Sequence, residues 1–150
     1  MTETLDRSPA PDMAQNISLK PIGYVERTGE DQGMSGPELR AQPARIVLDP
    51  GVTDALLGLE PGADIIVLSY FHEAERDVLQ VHPRGDLTRS LRGVFSTRSP
   101  TRPNPIAVTS ARLQRIEGNV LHVVGLDALD GTPVVDIKSH AEAFDTPYRP

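Results

Sequence analysis

Three groups of residues in this chain have types and spacing suited to chemistry. The first is Arg98, Arg102 and Asn104, set among Pro100, Pro103 and Pro105 in the stretch Gly93-Val94-Phe95-Ser96-Thr97-Arg98-Ser99-Pro100-Thr101-Arg102-Pro103-Asn104-Pro105-Ile106. Each proline fixes its own φ and drives its predecessor out of the helical region. Two guanidinium forks and an amide therefore stand on stiff backbone, and planar donor forks suit carboxylates and other anions. The second group is Phe71 and His72, an aromatic ring and a titratable imidazole at the end of the apolar run 64–71. The third is Asp130-Gly131-Thr132-Pro133 with Asp136, a turn with two carboxylates. Taken singly, each is also compatible with a plain proline-rich or hairpin turn. Together they describe a polar-lined pocket for a small ligand with charged ends.

The elements that must position these groups read mainly as strands. Apolar periodicity predicts about seven, over 17–25, 45–48, 64–71, 93–97, 106–116, 120–126 and 133–137, with a partial strand over 78–82. Pro21 argues for an edge or a bulge in the first of them. The run 64–71 is nearly all apolar and is expected to be buried on both faces. Val94 and Phe95 are expected on a half-buried strand that feeds the proline loop. Thr53 is expected to cap a short helix over 54–59. Residues 26–43 form a long loop and 138–150 an irregular tail, while 1–16 are expected to be a disordered N-terminal tail ahead of a domain over 17–150. No alternation of strand and helix occurs, so the fold class is mainly β. It is antiparallel, a barrel or a sandwich, with one or two short helices and long loops.

Charge and composition exclude several classes. The 150 residues carry a formal net charge of -6 and no cysteine, so disulfides and thiolate metal sites are ruled out. No apolar run approaches the roughly 20 residues that span a bilayer. Residues 1–16 lack a signal peptide's basic and apolar regions. His72, His82, His122 and His140 have no metal-ligand spacing, so no metal is expected. Neither a glycine-rich dinucleotide motif nor a phosphate-binding loop nor a serine-hydrolase elbow is present. An acidic protein is a poor general nucleic-acid binder. The exception is local: Arg84, Arg89, Arg92, Arg98 and Arg102 face only one acid, Asp86, between positions 84 and 102.

The stretch from Gly93 to Ile106, followed by Asp130-Gly131-Thr132-Pro133-Val134-Val135-Asp136-Ile137-Lys138, resembles the TsaA-like (TrmO) family. Ile22-Gly23-Tyr24-Val25 and Tyr70-Phe71-His72 match the family's order of elements. Ala107-Val108-Thr109 stand where the family usually has Gly-Leu-Ser, and Ser139-His140 where it has Pro-Tyr. The resemblance implies a single-sheeted antiparallel β-barrel. It implies an S-adenosyl-L-methionine-dependent methyltransferase that acts on the N6 nitrogen of N6-threonylcarbamoyladenosine next to the tRNA anticodon. Cytoplasmic homodimers are expected, with cofactor held outside any Rossmann fold. Carried onto this sequence, the cofactor pocket comprises Gln42, Pro43, Phe71, His72, Arg98, Arg102, Asp130, Gly131, Thr132 and Pro133. Arg98 and Asn104 are needed for transfer, and His72 or Asp136 is the candidate base. Arg84, Arg89 and Arg92 would meet the RNA backbone or complete a neighbouring subunit's site. Two other functions fit the same residues: methylation of a small molecule, and a regulatory module that binds the cofactor without catalysis.

Overall fold

The computed structural model describes residues 16–150, and the expected tail over 1–16 falls outside them except for Asn16. Side-chain alternation sets the strands. In β3 (Asp64–Tyr70), Ile65, Val67 and Ser69 point inward while Ile66, Leu68 and Tyr70 point outward. In β2 (Pro43–Leu48), Ala44, Ile46 and Leu48 are the inward set. With β1 (Gly23–Glu26), β6 (Ile106–Glu117), β7 (Val120–Val124) and β8 (Pro133–Ser139), they form a closed barrel in the order β1-β2-β7-β6-β3-β8. Every neighbouring pair is antiparallel, including the closing pair β1 and β8. That closing pair, with Gly23 opposite both Leu48 and Val134, decides for a barrel over a sandwich. A Cβ on Gly23 would sit 2.4 Å from the Val47 carbonyl oxygen, so the closure tolerates only glycine there.

The barrel is filled by Val25, Ile46, Ile65, Val67, Leu113, Leu121, Val123 and Val134, all inaccessible to solvent. Strand β6 keeps its apolar side inward over 12 residues because its register shifts by one between Leu113 and Arg115. The shift turns Ile116 against the core after Ala111 and Leu113. A second shift, between Leu68 and Ser69 of β3, lies beside the start of β8.

Several elements differ from expectation. The first strand begins at Gly23, six residues later than predicted, and 17–22 are irregular. The long loop holds a helix, α1 (Gly36–Arg40), closed by a reciprocal capping box between Ser35 and Glu38. The helix expected over 54–59 is a 3-10 segment at Pro50–Leu56, capped by Asp49 rather than Thr53. The proline fixes the first turn there, and the Asp49 carboxylate accepts from the Gly51 N–H at 3.0 Å. Strand β3 is buried on one face only.

The strand expected over 93–97 is reduced to the pair β4 (Gln80–Val81) and β5 (Arg92–Gly93), followed by a 3-10 turn, Val94–Ser96. The hydroxyls of Ser96 and Thr97 donate to the carbonyls of Gly93 and Val94 at 2.7 and 2.9 Å, which closes a turn in place of an extended ladder. Val94 is buried, and Phe95 is 83% exposed. A short helix, α2 (Glu142–Asp145), breaks the expected irregular tail. Among the described residues no helix is long and apolar enough to cross a membrane.

Candidate functional site

One end of the barrel gathers the candidate residues. Strand β3 runs out into Phe71 and His72, and the Phe71 N–H donates to the Pro105 carbonyl at 2.9 Å, which joins this turn to the proline loop. The connection from β7 to β8 brings Asp127 and Asp130-Gly131-Thr132. Helix α1 adds Ser35, Gly36, Pro37 and Arg40. These segments, with Arg84, Arg98 and Pro100, line a cavity of about 1060 Å³.

The turn at Asp130 is held by hydrogen bonds from within the chain. Arg27 is buried, and its Nε and Nη2 each donate at 2.6 Å, to the carbonyls of Ala128 and Leu126. The Arg27 N–H donates to the Asp130 carboxylate at 2.8 Å, and the Gly131 N–H to the Val25 carbonyl at 2.7 Å. Thr132 Oγ1 donates to the Leu129 carbonyl at 2.7 Å, and Gly131 has φ of +83°. A glycine is the residue that adopts this conformation without strain. Asp31 lies 3.7 Å from the Arg27 guanidinium and balances its charge.

Three arginines at this end of the barrel have different duties. Arg98 Nη1 donates to the Val108 carbonyl at 3.1 Å, and the residue is otherwise exposed at the cavity wall. Arg40 Nε donates to the Gly125 carbonyl at 2.9 Å and also lines the cavity. Arg102 turns away into its own loop. Its Nη1 donates to the carbonyls of Ser99 and Thr97 at 2.9 and 3.3 Å, and its Nη2 to Val94 at 3.2 Å. Arg102 therefore fixes the shape of the loop that presents Arg98, and it does not line the cavity.

The structure thus brings together Phe71, His72, Arg98, Asp130, Gly131 and Thr132. Gln42 and Pro43 lie past the end of α1 and outside the cavity lining, where the same loop contributes Ser35 and Arg40 instead. Asn104 and Pro133 line a second cavity of about 810 Å³, and His72 is the one predicted residue common to both. Asp136 stands on the outer face of β8, paired with Lys138 at 3.0 Å and lining neither cavity. A third cavity, of about 770 Å³, is lined by Arg84, Arg89, Arg92 and Arg98. The acid beside it, Asp86, has its carboxyl held below its ordinary value by hydrogen bonds from the Thr88 hydroxyl and N–H.

Arg27, Asp127 and α1 lie outside the residues that the sequence pointed to as site components. For α1 the signal was present: Ser35 followed three residues later by Glu38, with Pro37 at the first turn. Arg27 and Asp127 carry no such signal, because each matters through partners about 100 and 18 residues away.

Comparison with known proteins completes the picture. Residues 30–146 match the model of the tRNA-methyltransferase O N-terminal domain family. A probable S-adenosyl-L-methionine-binding protein of Methanothermobacter thermautotrophicus is 44% identical over 133 residues, covering 87% of this chain and 94% of that protein. The mouse tRNA (adenine(37)-N6)-methyltransferase is 34% identical over 143 residues, covering 89% of this chain. This chain spans 33% of the mouse protein's length. A crystal structure of TrmO from Pseudomonas aeruginosa superposes with a TM-score of 0.66 at 30% identity, covering 89% of this chain and 60% of that one. The match over residues 30–146 takes in the Phe71, Arg98 and Asp130 segments that wall the cavity, and the chain belongs to the tRNA-methyltransferase O N-terminal domain family.

Proposed function

We propose that this chain is an S-adenosyl-L-methionine-dependent methyltransferase that methylates the N6 nitrogen of N6-threonylcarbamoyladenosine beside the tRNA anticodon. The observation that carries this reading is the 1060 Å³ cavity, where the Phe71 ring, three guanidinium groups and three carboxylates converge from separate segments. That donor set fits the cofactor. Arg98 suits the methionyl carboxylate. Asp127 and Asp130 suit the amino group and ribose hydroxyls, and each keeps one oxygen outside its protein hydrogen bond. Phe71 gives a cation a π face. When bound, the cofactor supplies an electrophilic methyl group on a sulfonium.

The chain's part is to align and to move one proton. His72 stands at the junction of two cavities, exposed, with the Glu73 carboxylate 3.9 Å from its Nε2. Its imidazole would take the acceptor's N6 proton as that nitrogen accepts the methyl group the cofactor supplies. Alignment supplies much of the acceleration in such an in-line displacement. Asp136, the other candidate base, lines neither cavity and is tied to Lys138 and the Ile137 N–H.

The reading extends to assembly and partners. Ile66, Leu68 and Tyr70 form an outward apolar row on β3, flanked by Val108 and Ile106 on β6. This explains why the run is continuous although only one face enters the core. The Ile66, Leu68 and Val108 part of that row supports a homodimer, while Tyr70 and Ile106 border the second cavity. Arg84, Arg89 and Arg92 suit the phosphate backbone of tRNA, and a tRNA substrate supports a cytoplasmic location.

Nucleoside mass spectrometry of tRNA from a deletion strain tests the reading. Loss of the N6-methylated nucleoside supports it, and an unchanged profile overturns it. Cofactor binding with no turnover on tRNA would favour the regulatory alternative. Arg98→Ala and Asn104→Ala are each expected to abolish transfer, and full activity in both removes the site from this end of the barrel.

A further inference from the structure

We infer that the 810 Å³ cavity is the acceptor subsite and that Arg76 is its specificity residue, pairing with a carboxylate on the acceptor's substituent. This rests on the methyltransferase reading above. Methyl transfer needs donor and acceptor on opposite sides of one reacting line, so their sites must adjoin. The first cavity and this one meet at His72.

Their chemistry differs as donor and acceptor sites should. The first cavity mixes Arg40, Arg84 and Arg98 with Glu73, Asp127 and Asp130. Among the described residues no acid lines the second. Its apolar walls include Ile17, Leu19, Tyr70, Ile106 and Val135, which suit the faces of a flat aromatic base, and its polar groups include Arg76 and Asn104.

Those two polar groups orient each other. Arg76 Nε donates to the Pro103 carbonyl at 2.8 Å and Nη2 to Asn104 Oδ1 at 3.1 Å. The first bond locks the guanidinium plane. The second occupies one lone pair of the Asn104 amide oxygen and leaves both Nδ2 donors free. Arg76 Nη1 has no hydrogen-bond partner among the described residues. The cavity therefore presents donors side by side from a guanidinium and an amide. A ligand seated there must bring a carboxylate for the first and a carbonyl for the second. A purine N6-substituted with a carbamoyl amino acid supplies both, on an arm that starts at the nitrogen facing His72.

Two anticodon stem-loop RNAs test this. One carries N6-threonylcarbamoyladenosine, and the other has the same nucleoside with its carboxylate converted to the neutral methylamide. The wild-type chain is expected to show a kcat/KM about tenfold or more in favour of the carboxylate, mainly through KM. In Arg76→Ala that ratio falls to about one, and Arg76→Lys, which keeps a charge but no fork, recovers part of it. Calorimetry with S-adenosyl-L-methionine gives the same Kd in all three proteins. A merely structural Arg76 lowers turnover of both RNAs alike and leaves the ratio intact, and that result overturns the inference alone. A wild-type chain that binds cofactor but methylates neither RNA overturns the underlying reading as well.

Discussion

The backbone N–H of Arg27 donates to the Asp130 carboxylate at 2.8 Å, across 103 residues of sequence, while the same residue's guanidinium holds the carbonyls of Leu126 and Ala128. One buried side chain thus sets the position of the whole cavity floor. Arg27→Ala leaves those carbonyls without donors and Asp31 without its counter-charge. The expected loss is about 3–5 kcal/mol of unfolding free energy, read from urea denaturation. Arg27→Lys should recover little, since one ammonium cannot reach three directions. A loss under about 1 kcal/mol would show that water replaces the guanidinium.

Arg102 fixes the loop that carries Arg98. Arg102→Ala removes the guanidinium donors from the carbonyls of Val94, Thr97 and Ser99, and amide hydrogen exchange over 94–101 should accelerate while the barrel strands stay protected. A local destabilisation of about 1–3 kcal/mol is expected. Exchange confined to its wild-type rate would return Arg102 to the list of ligand-binding residues.

Gly125 lies where β7 leaves the barrel, with φ of +115°. A Cβ there would stand 3.1 Å from both the Ala111 Cα and the Ser110 carbonyl oxygen. Gly125→Ala therefore meets backbone that cannot swing aside and also adopts a strained φ, at a cost of about 1–3 kcal/mol. The Gly125 carbonyl also receives Arg40, so cofactor affinity measured by calorimetry should fall in the same variant.

The Glu142 carboxyl is held below its ordinary value, first by the Thr146 hydroxyl at 2.9 Å and then by His140. A depressed folded value means that the contribution to helix α2 is complete above the ordinary glutamate range. It is lost as pH falls through the lower, folded value. Carbon-detected titration of Glu142 should move back toward the ordinary value in Thr146→Val. An unchanged midpoint would leave His140 as the dominant cause.

Much of the barrel was legible from alternation. The strands 45–48, 64–71, 106–116, 120–126 and 133–137 each lie within a few residues of an observed strand, because inward and outward residues follow a period of two wherever one face is buried. The stretch 93–97 misled because Val94 and Phe95 have strand propensity, while the hydroxyls of Ser96 and Thr97 bond the backbone locally. The run 64–71 misled differently: its outer apolar face needs covering, but by something other than the core.

By itself the sequence determined a mainly β chain with no disulfide, a proline-stiffened loop rich in arginine, and a matching aspartate turn. Residue types and local backbone restriction suffice for those statements. Only the tertiary structure decided which of the polar residues meet. Arg98 lines the cavity and Arg102 does not, though they stand four residues apart in one motif. Asp130 belongs to the floor while Asp136 faces outward on β8. The reason is geometric: barrel closure and register assign each side chain to one face, and long-range partners such as Arg27 fix the loops between strands. Neither quantity is encoded in spacing along the chain.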